Sequence, residues 1–309
     1  MNRTVSSHKN VFLGHAEHKR VASRRAFARA AMIAQGMALS LLAFPLPMAH
    51  AQSEPAAEMS NTDLAKAIEN PISDLYYIPF QNLTNFNVGP HKGTQDILNI
   101  QPVIPIHINS EWNVITRTII PLVWNPSMQP GKTVPFGIAP ITFSAFLTPA
   151  GKPANGLVWG VGPVVQIPAA SSSTLGSSVW GGGPTAVIIK MSGPWVIGAL
   201  INNVWSFGGD NGPTGKRAGG TGYSVMTLQP GINYNFSDGW FINSAPIITA
   251  NWLTAGDKAW TLPIGGGGGR VIRLGGKLPI SLSIGAYWNA LRPEYGSTWQ
   301  LRTQATIIF

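Results

Sequence analysis

Residues 298–309 alternate strictly between two environments. Trp299, Leu301, Thr303, Ala305, Ile307 and Phe309 lie on one side of an extended chain, and Thr298, Gln300, Arg302, Gln304, Thr306 and Ile308 on the other. The first side is apolar and bounded by aromatics; the second is almost wholly polar. This two-residue period marks a strand held between oil and water. It recurs upstream. Leu98, Ile100, Pro102, Ile104, Ile106 and Ile108 oppose Asn99, Gln101 and His107, and Val114, Ile120, Leu122 and Trp124 oppose Arg117. Met226, Leu228, Pro230, Ile232, Tyr234 and Phe236 oppose Thr227, Gln229, Asn233 and Asn235, and Leu278 to Trp288 repeat the pattern against Ser281, Ser283 and Asn289.

Composition decides what the oil is. Only 11% of the 309 residues are charged, although 44% are apolar; a water-facing surface normally needs about 25% charge. Beyond the first 51 residues no run of 18 apolar residues exists, which excludes a membrane helix. A chain short of charge whose apolar residues are spread over alternate positions fits an all-β transmembrane antiparallel barrel. The competing reading is a secreted β-sandwich with an adhesive or structural role. There is no cysteine, so disulfides and thiolate metal sites are impossible.

Residues 1–51 read as a signal peptide: seven basic residues from Arg3 to Arg29, an apolar stretch from Ala30 to Phe44, and Ala49-His50-Ala51 as cleavage site. Met32 is an alternative translation start. The overall charge of +9 belongs to this segment; without its seven bases and Glu17, 14 bases and 11 acids remain. Nothing points to a nucleic-acid partner. Residues 52–74 are polar and acidic, with a short helix expected from Asn61 to Glu69, Asn61 or Thr62 as its N-cap, and Pro71 ending it. This is either a solvated periplasmic tail or a plug entering the barrel from below. Residues 75–309 give about twelve strands, near 75–88, 95–108, 112–124, 135–147, 155–168, 177–191, 194–207, 221–236, 239–252, 259–275, 277–290 and 298–309. Short turns alternate with longer loops, and all eleven tryptophans fall toward strand ends, as in the two aromatic girdles of a membrane barrel.

Two features resist this reading. Prolines lie inside many strands, and a closed barrel has no edge on which to hide a missing N–H. Pro230 and Pro246 would lie opposite each other, where bulges or breaks are expected. Arg270 shares parity with Trp260, Leu262 and Ile264 and would face lipid unless the chain slips within Gly265–Gly269, which reads as a loop, bend or bulge.

The acids of residues 52–309 fall in the tail, turns, loops or rims, whereas bases fall within strands. Gln101, Arg117, Lys190, Gln229, Asn233, Arg273, Gln300, Arg302 and Gln304 are therefore the candidate lining of a polar, net-positive bore. A bore of this size would be largely filled by side chains. Histidines 91 and 107 fall at opposite rims, and no Ser-His-acid set shares a face, so no enzyme, cofactor or metal site is expected. Gly212 to Arg217 lacks the spacing of a phosphate loop.

One stretch carries a family resemblance. Asn70-Pro71-Ile72-Ser73-Asp74-Leu75, Pro79-Phe80-Gln81-Asn82, Leu98 to Pro105 and Trp112 to Pro121 resemble a family of proteobacterial outer-membrane proteins often labelled "transporter" or "neuromedin U". That family is similar to the outer-membrane family of meta-pathway phenol degradation. The resemblance, over 64–309, implies a barrel in the outer membrane that moves small, aromatic molecules, to which the net-positive bore adds a preference for anions. Its expected partners are the lipid bilayer, the insertion machinery acting on the C-terminal Phe309, and the solute.

Overall fold

A computed structural model describes residues 56, 58–127, 136–151, 153, 155–207 and 222–309. The signal peptide read over 1–51 and the Gly212–Arg217 stretch lie outside these. Fifteen β-segments form one sheet: β1 (Tyr77–Val88), β2 (Gly93–Ile100), β3 (Val103–His107), β4 (Trp112–Trp124), β5 (Phe136–Ile138), β6 (Ile141–Pro149), β7 (Leu157–Ile167), β8 (Gly181–Ser192), β9 (Trp195–Ser206), β10 (Ser224–Asn235), β11 (Trp240–Ser244), β12 (Ile248–Asn251), β13 (Trp260–Leu274), β14 (Leu278–Leu291) and β15 (Trp299–Ile308). Because β2/β3, β5/β6 and β11/β12 are each one interrupted strand, they make twelve staves. Each stave pairs antiparallel with its neighbours, and the sheet closes where β1 meets β15, from Tyr77↔Ile308 to Phe86↔Trp299. The chain is a closed, all-β, twelve-stranded antiparallel barrel.

All three interruptions sit at or beside prolines: Pro102, Pro140 and Pro246. The expected break thus occurs at Pro246, while β10 runs through Pro230, which pairs with Ala199 of β9. The registers Leu228↔Ile248 and Ile232↔Ser244 place the two prolines face to face, so the missing donors are concentrated in one interval. There the segment 245–247 leaves the ladders on both sides. The backbone groups of Ala245 are satisfied from within the bore: its O accepts from Arg302 Nη1 at 2.7 Å, and its N–H donates to Tyr287 Oη at 3.3 Å.

The glycine run is neither loop nor bulge. β13 passes through Gly265–Gly269 in continuous register with β14, and its one shift lies at Leu262/Pro263. A Cβ on Gly267 would stand 2.1 Å from the Ile284 carbonyl oxygen, so bare backbone is what lets β13 lie this close to β14. Without a slip, Arg270 does face outward, opposite Leu282 and Trp240. It sits toward the short-turn rim, where its guanidinium pairs with the Asp238 carboxylate and lies 5.0 Å over the Trp240 ring. That rim position avoids the midplane cost of about 2–4 kcal/mol.

The outer wall carries Ile188, Ile197, Ile201, Ile242, Ile264, Leu282 and Ile284 as exposed apolar residues, an array tolerable only against hydrocarbon. Aromatic contacts bound it at both rims: Trp112 with Trp159 and Trp195 with Tyr234 at one, Trp124 with Phe136 and Trp252 with Trp260 at the other.

Residues 58–75 do not form a solvated tail. The helix α1 (Asn61–Ile68) is capped by Ser60, one residue before the expected cap, whose Oγ accepts from the Asp63 N–H at 3.1 Å. Leu64 and Ala65 are fully buried, and with Ile72 they join a cluster with inward-facing Ile115, Phe146, Val187, Ile189, Leu200 and Phe241. Burial of such side chains stabilises by about 1.5–3 kcal/mol each, which holds the segment inside the short-turn end of the barrel.

Candidate functional site

Alternation decides which side chains reach the bore. In β15 the even residues face inward, in β1 and β4 the odd ones, and adjacent staves bring them level. Two ladders result. In the first, Arg117 Nη2 donates to Gln101 Oε1, Gln101 Nε2 to Gln81 Oε1 at 3.4 Å, Gln81 Nε2 to Gln304 Oε1 at 2.8 Å, and Gln304 Nε2 to Thr306 Oγ1 at 3.1 Å. The second lies nearer the long loops. Arg302 Nη2 donates to Gln300 Oε1 at 3.3 Å, Gln300 Nε2 to Asn85 Oδ1 at 3.0 Å, Asn85 Nδ2 to Gln95 Oε1 at 3.0 Å, and Gln95 Nε2 to Asn125 Oδ1 at 2.6 Å. Each ladder crosses several staves, and its amides donate in one direction away from a guanidinium. Such chains polarise one another and hold their side chains against the wall.

The sequence-derived set divides accordingly. Gln101, Arg117, Gln300, Arg302 and Gln304 share this wall. Gln229 and Asn233 also face the bore, but from β10, and the Asn233 amide is buried with no partner for either of its polar atoms. Arg273 faces inward at the short-turn end. Its guanidinium binds the N-terminal segment through Asn61 Oδ1 at 3.2 Å, Ala56 O at 3.2 Å and Met59 O. Lys190 does not line the bore. It pairs with Ile197 on the outward parity of β8 and β9, and its ammonium reaches the Asn155 carbonyl at the rim. A base within a strand need not face inward: Lys190 shares its parity with Ile188, which is exposed.

Between the two walls lies a cavity of about 160 Å³. One side is Gln81, Gln101, Arg117, Arg302 and Gln304; the facing side is Val187, Ile189, Val196, Leu200 and Phe241; Ile68, Glu69 and Pro71 of the N-terminal segment form its floor. Tyr287 lies beneath Arg302, whose guanidinium carbon is 4.4 Å from the ring centre.

Glu69 is the acid in this cavity. It accepts from Asn243 Nδ2 at 3.2 Å and lines the cavity beside Ile68 and Pro71. Burial pushes its carboxyl up to about 7, against the opposing pull of the Asn243 bond and the Arg302 charge. A second tie between segment and wall is the 2.8 Å contact of His107 Nε2 with Asp74 Oδ1. At the opposite rim, Lys258 and Glu294 pair at 2.9 Å, and the lysine's hydrogen bond and charge lower the Glu294 carboxyl. Among the described residues, no group of three or more His, Asp or Glu side chains is placed to hold a metal ion.

Gln81, Asn85 and Gln95 were missed in the sequence, although strand parity alone marks them. Glu69 could not be found that way, because its place depends on how the segment before β1 folds back.

No family model matches the sequence, and no curated protein matches it. Among solved structures, the chain is similar to the COG4313 outer membrane channel from Pseudomonas putida F1, at 14% identity and a TM-score of 0.53, over 76% of this chain and 94% of that one. The β domain of the Bordetella autotransporter BrkA (10% identity, 76% of this chain and all of that one) aligns at a TM-score of 0.41. The Salmonella typhi outer membrane phospholipase dimer with bound calcium (12%, 81% and 97%) aligns at 0.40. These two scores are below the level that establishes a shared fold. Closure of the sheet, the apolar outer band and the likeness to the first structure give one conclusion: the chain has the fold of a twelve-stranded outer-membrane β-barrel.

Proposed function

We propose that this barrel is a channel that passes small aromatic or anionic solutes passively across the outer membrane. The observation that carries the reading is the pair of amide ladders, each headed by an arginine, lining a bore whose opposite wall is apolar. Fixed positive charge favours anions, since Asp96, the acid within β2, lies on the outward parity opposite Trp124, and an apolar wall favours a ring. The resemblance of 64–309 to the "transporter" barrels supports the same role, as does the likeness to a structure described as an outer membrane channel. Residues 1–51 serve as its export signal in this reading, and Phe309, exposed beyond β15, is the handle for the insertion machinery.

The N-terminal segment narrows the bore and acts as its plug. Reversal potentials in planar bilayers under a salt gradient test the selectivity: anion preference is expected, and cation preference would reject it. Liposome swelling with aromatic acids tests passage. If swelling does not occur while the barrel is folded, a binding or structural role is the better reading.

A further inference from the structure

We infer that Arg302 forms a carboxylate-binding site in the bore, and that Glu69 is its built-in competitor, set aside when an aromatic carboxylate arrives. This rests on the channel reading and adds to it a site, a ligand class and a displaceable group.

The two guanidiniums carry charge that no anion neutralises. The ion pairs among the described residues are His107–Asp74, Lys258–Glu294 and Arg270–Asp238, so neither cavity arginine is in one. Arg302 is only 8% exposed; its Nη atoms bond neutral acceptors, the Ala245 carbonyl and Gln300, and its buried Nε has no partner. Arg117 bonds the neutral Gln101. A buried cation is costly unless an anion joins it, and guanidiniums favour carboxylates, which they grip with paired N–H donors.

Glu69 is the chain's own approximation to that ligand. It is tethered to Asn243 and stands within electrostatic reach of Arg302 and of Tyr77, which in turn senses Arg117. It is not in contact with either arginine, so it screens the site without filling it. The charged or titratable groups facing it are Arg302 and Tyr77, with Tyr287 behind Arg302. Its raised carboxyl pKa is consistent with a weakly satisfied acid.

The rest of the cavity fits the remainder of such a ligand. The cavity borders Leu200 and Phe241, where they pack in one cluster with Leu64, Ala65 and Ile72 of the N-terminal segment, so a ring would lie against the segment's edge, with the buried, unpartnered Asn233 amide behind it. About 160 Å³ suits a single-ring acid rather than a sugar chain.

The test measures binding to the full-length barrel in detergent at pH 8, with benzoate as probe and benzyl alcohol as the uncharged control. Heat-modifiable migration verifies that each variant is folded. Glu69→Gln should tighten benzoate binding on the order of tenfold and leave benzyl alcohol unchanged. Adding Arg302→Gln, or Arg302→Met if the former misfolds, should abolish the gain. Wild-type affinity for benzoate should rise as pH falls from about 8 to 6, while that of Glu69→Gln stays flat. Unchanged benzoate binding in Glu69→Gln would overturn the inference. So would an equal gain for benzyl alcohol, which would show mere loosening of the segment. Binding without flux would reject the channel reading and leave the site standing; flux without charge-selective binding would do the reverse.

Discussion

The wall built from β15, β1, β2 and β4 and the wall built from β8, β9 and β11 face one bore and differ in almost every respect. The first is a lattice of glutamine, asparagine and arginine side chains, each bonded to the next. The second is Val187, Ile189, Val196, Leu200 and Phe241, bordered by Gln229 and Asn233 of β10 and by Asn243 and Ser244 of β11. Neither difference is needed to make a barrel, because the fold asks only that outward positions be apolar. A bore that merely filled itself could be apolar throughout, and one that merely held water could be polar throughout. The contrast gives the interior a direction across it, and its apolar side is where Leu64, Ala65 and Ile72 of the N-terminal segment pack.

Several measurements would break that contrast or sharpen it. Removing residues 56–74 deletes the floor between the walls and exposes both to water. Single-channel conductance should rise several-fold, and an unchanged value would show that the segment does not obstruct flow. Next in size, Arg302→Leu makes the polar wall resemble the apolar one. Anion preference should fall toward neutrality in reversal-potential recordings. Because Ala245 O and the buried end of the ladder lose a donor, stability should fall by about 1–3 kcal/mol in denaturant titration of the folded barrel.

Leu200→Gln performs the opposite conversion. Uptake of aromatic acids in liposome swelling should slow a few-fold, with small polar solutes unaffected. A smaller effect comes from pH. With its carboxyl near 7 when docked and ordinary when released, Glu69 binds more protons in the docked state between about pH 4.5 and 7. Docking therefore weakens as pH rises through that window and levels off above it. Wild-type conductance should climb from pH 5 to 7.5, and Glu69→Gln should remove the slope. Smallest of all, Lys258→Ala at the exposed Glu294 pair lies outside both walls and should change neither conductance nor melting measurably.

How far these features were legible in the sequence depends on the range of the interactions that make them. The staves were legible because a strand between lipid and water writes its period into consecutive residues. The expected 112–124 coincides with β4, and the paired positions of Pro230 and Pro246 follow from one turn at Ser237 and Asp238. The polar wall was legible in part, since Gln300, Arg302 and Gln304 show their parity directly. Lys190 was misread because being inside a strand does not say which side. The glycine run was misread because its reason is the closeness of β14, which lies in another part of the chain. Glu69 and the apolar floor were beyond reach for a similar reason: α1 is polar enough to pass for a solvated helix until Leu64 meets Phe146 and Val187.

The seam between β1 and β15 joins the earliest strand to the latest. Until β15 arrives, every intermediate sheet has two raw margins of unpaired amides and carbonyls that hydrocarbon cannot solvate. The cylinder is thus an all-or-nothing object: no shortened sheet is a smaller version of it, and assembly must shelter both margins until the final stave zips shut.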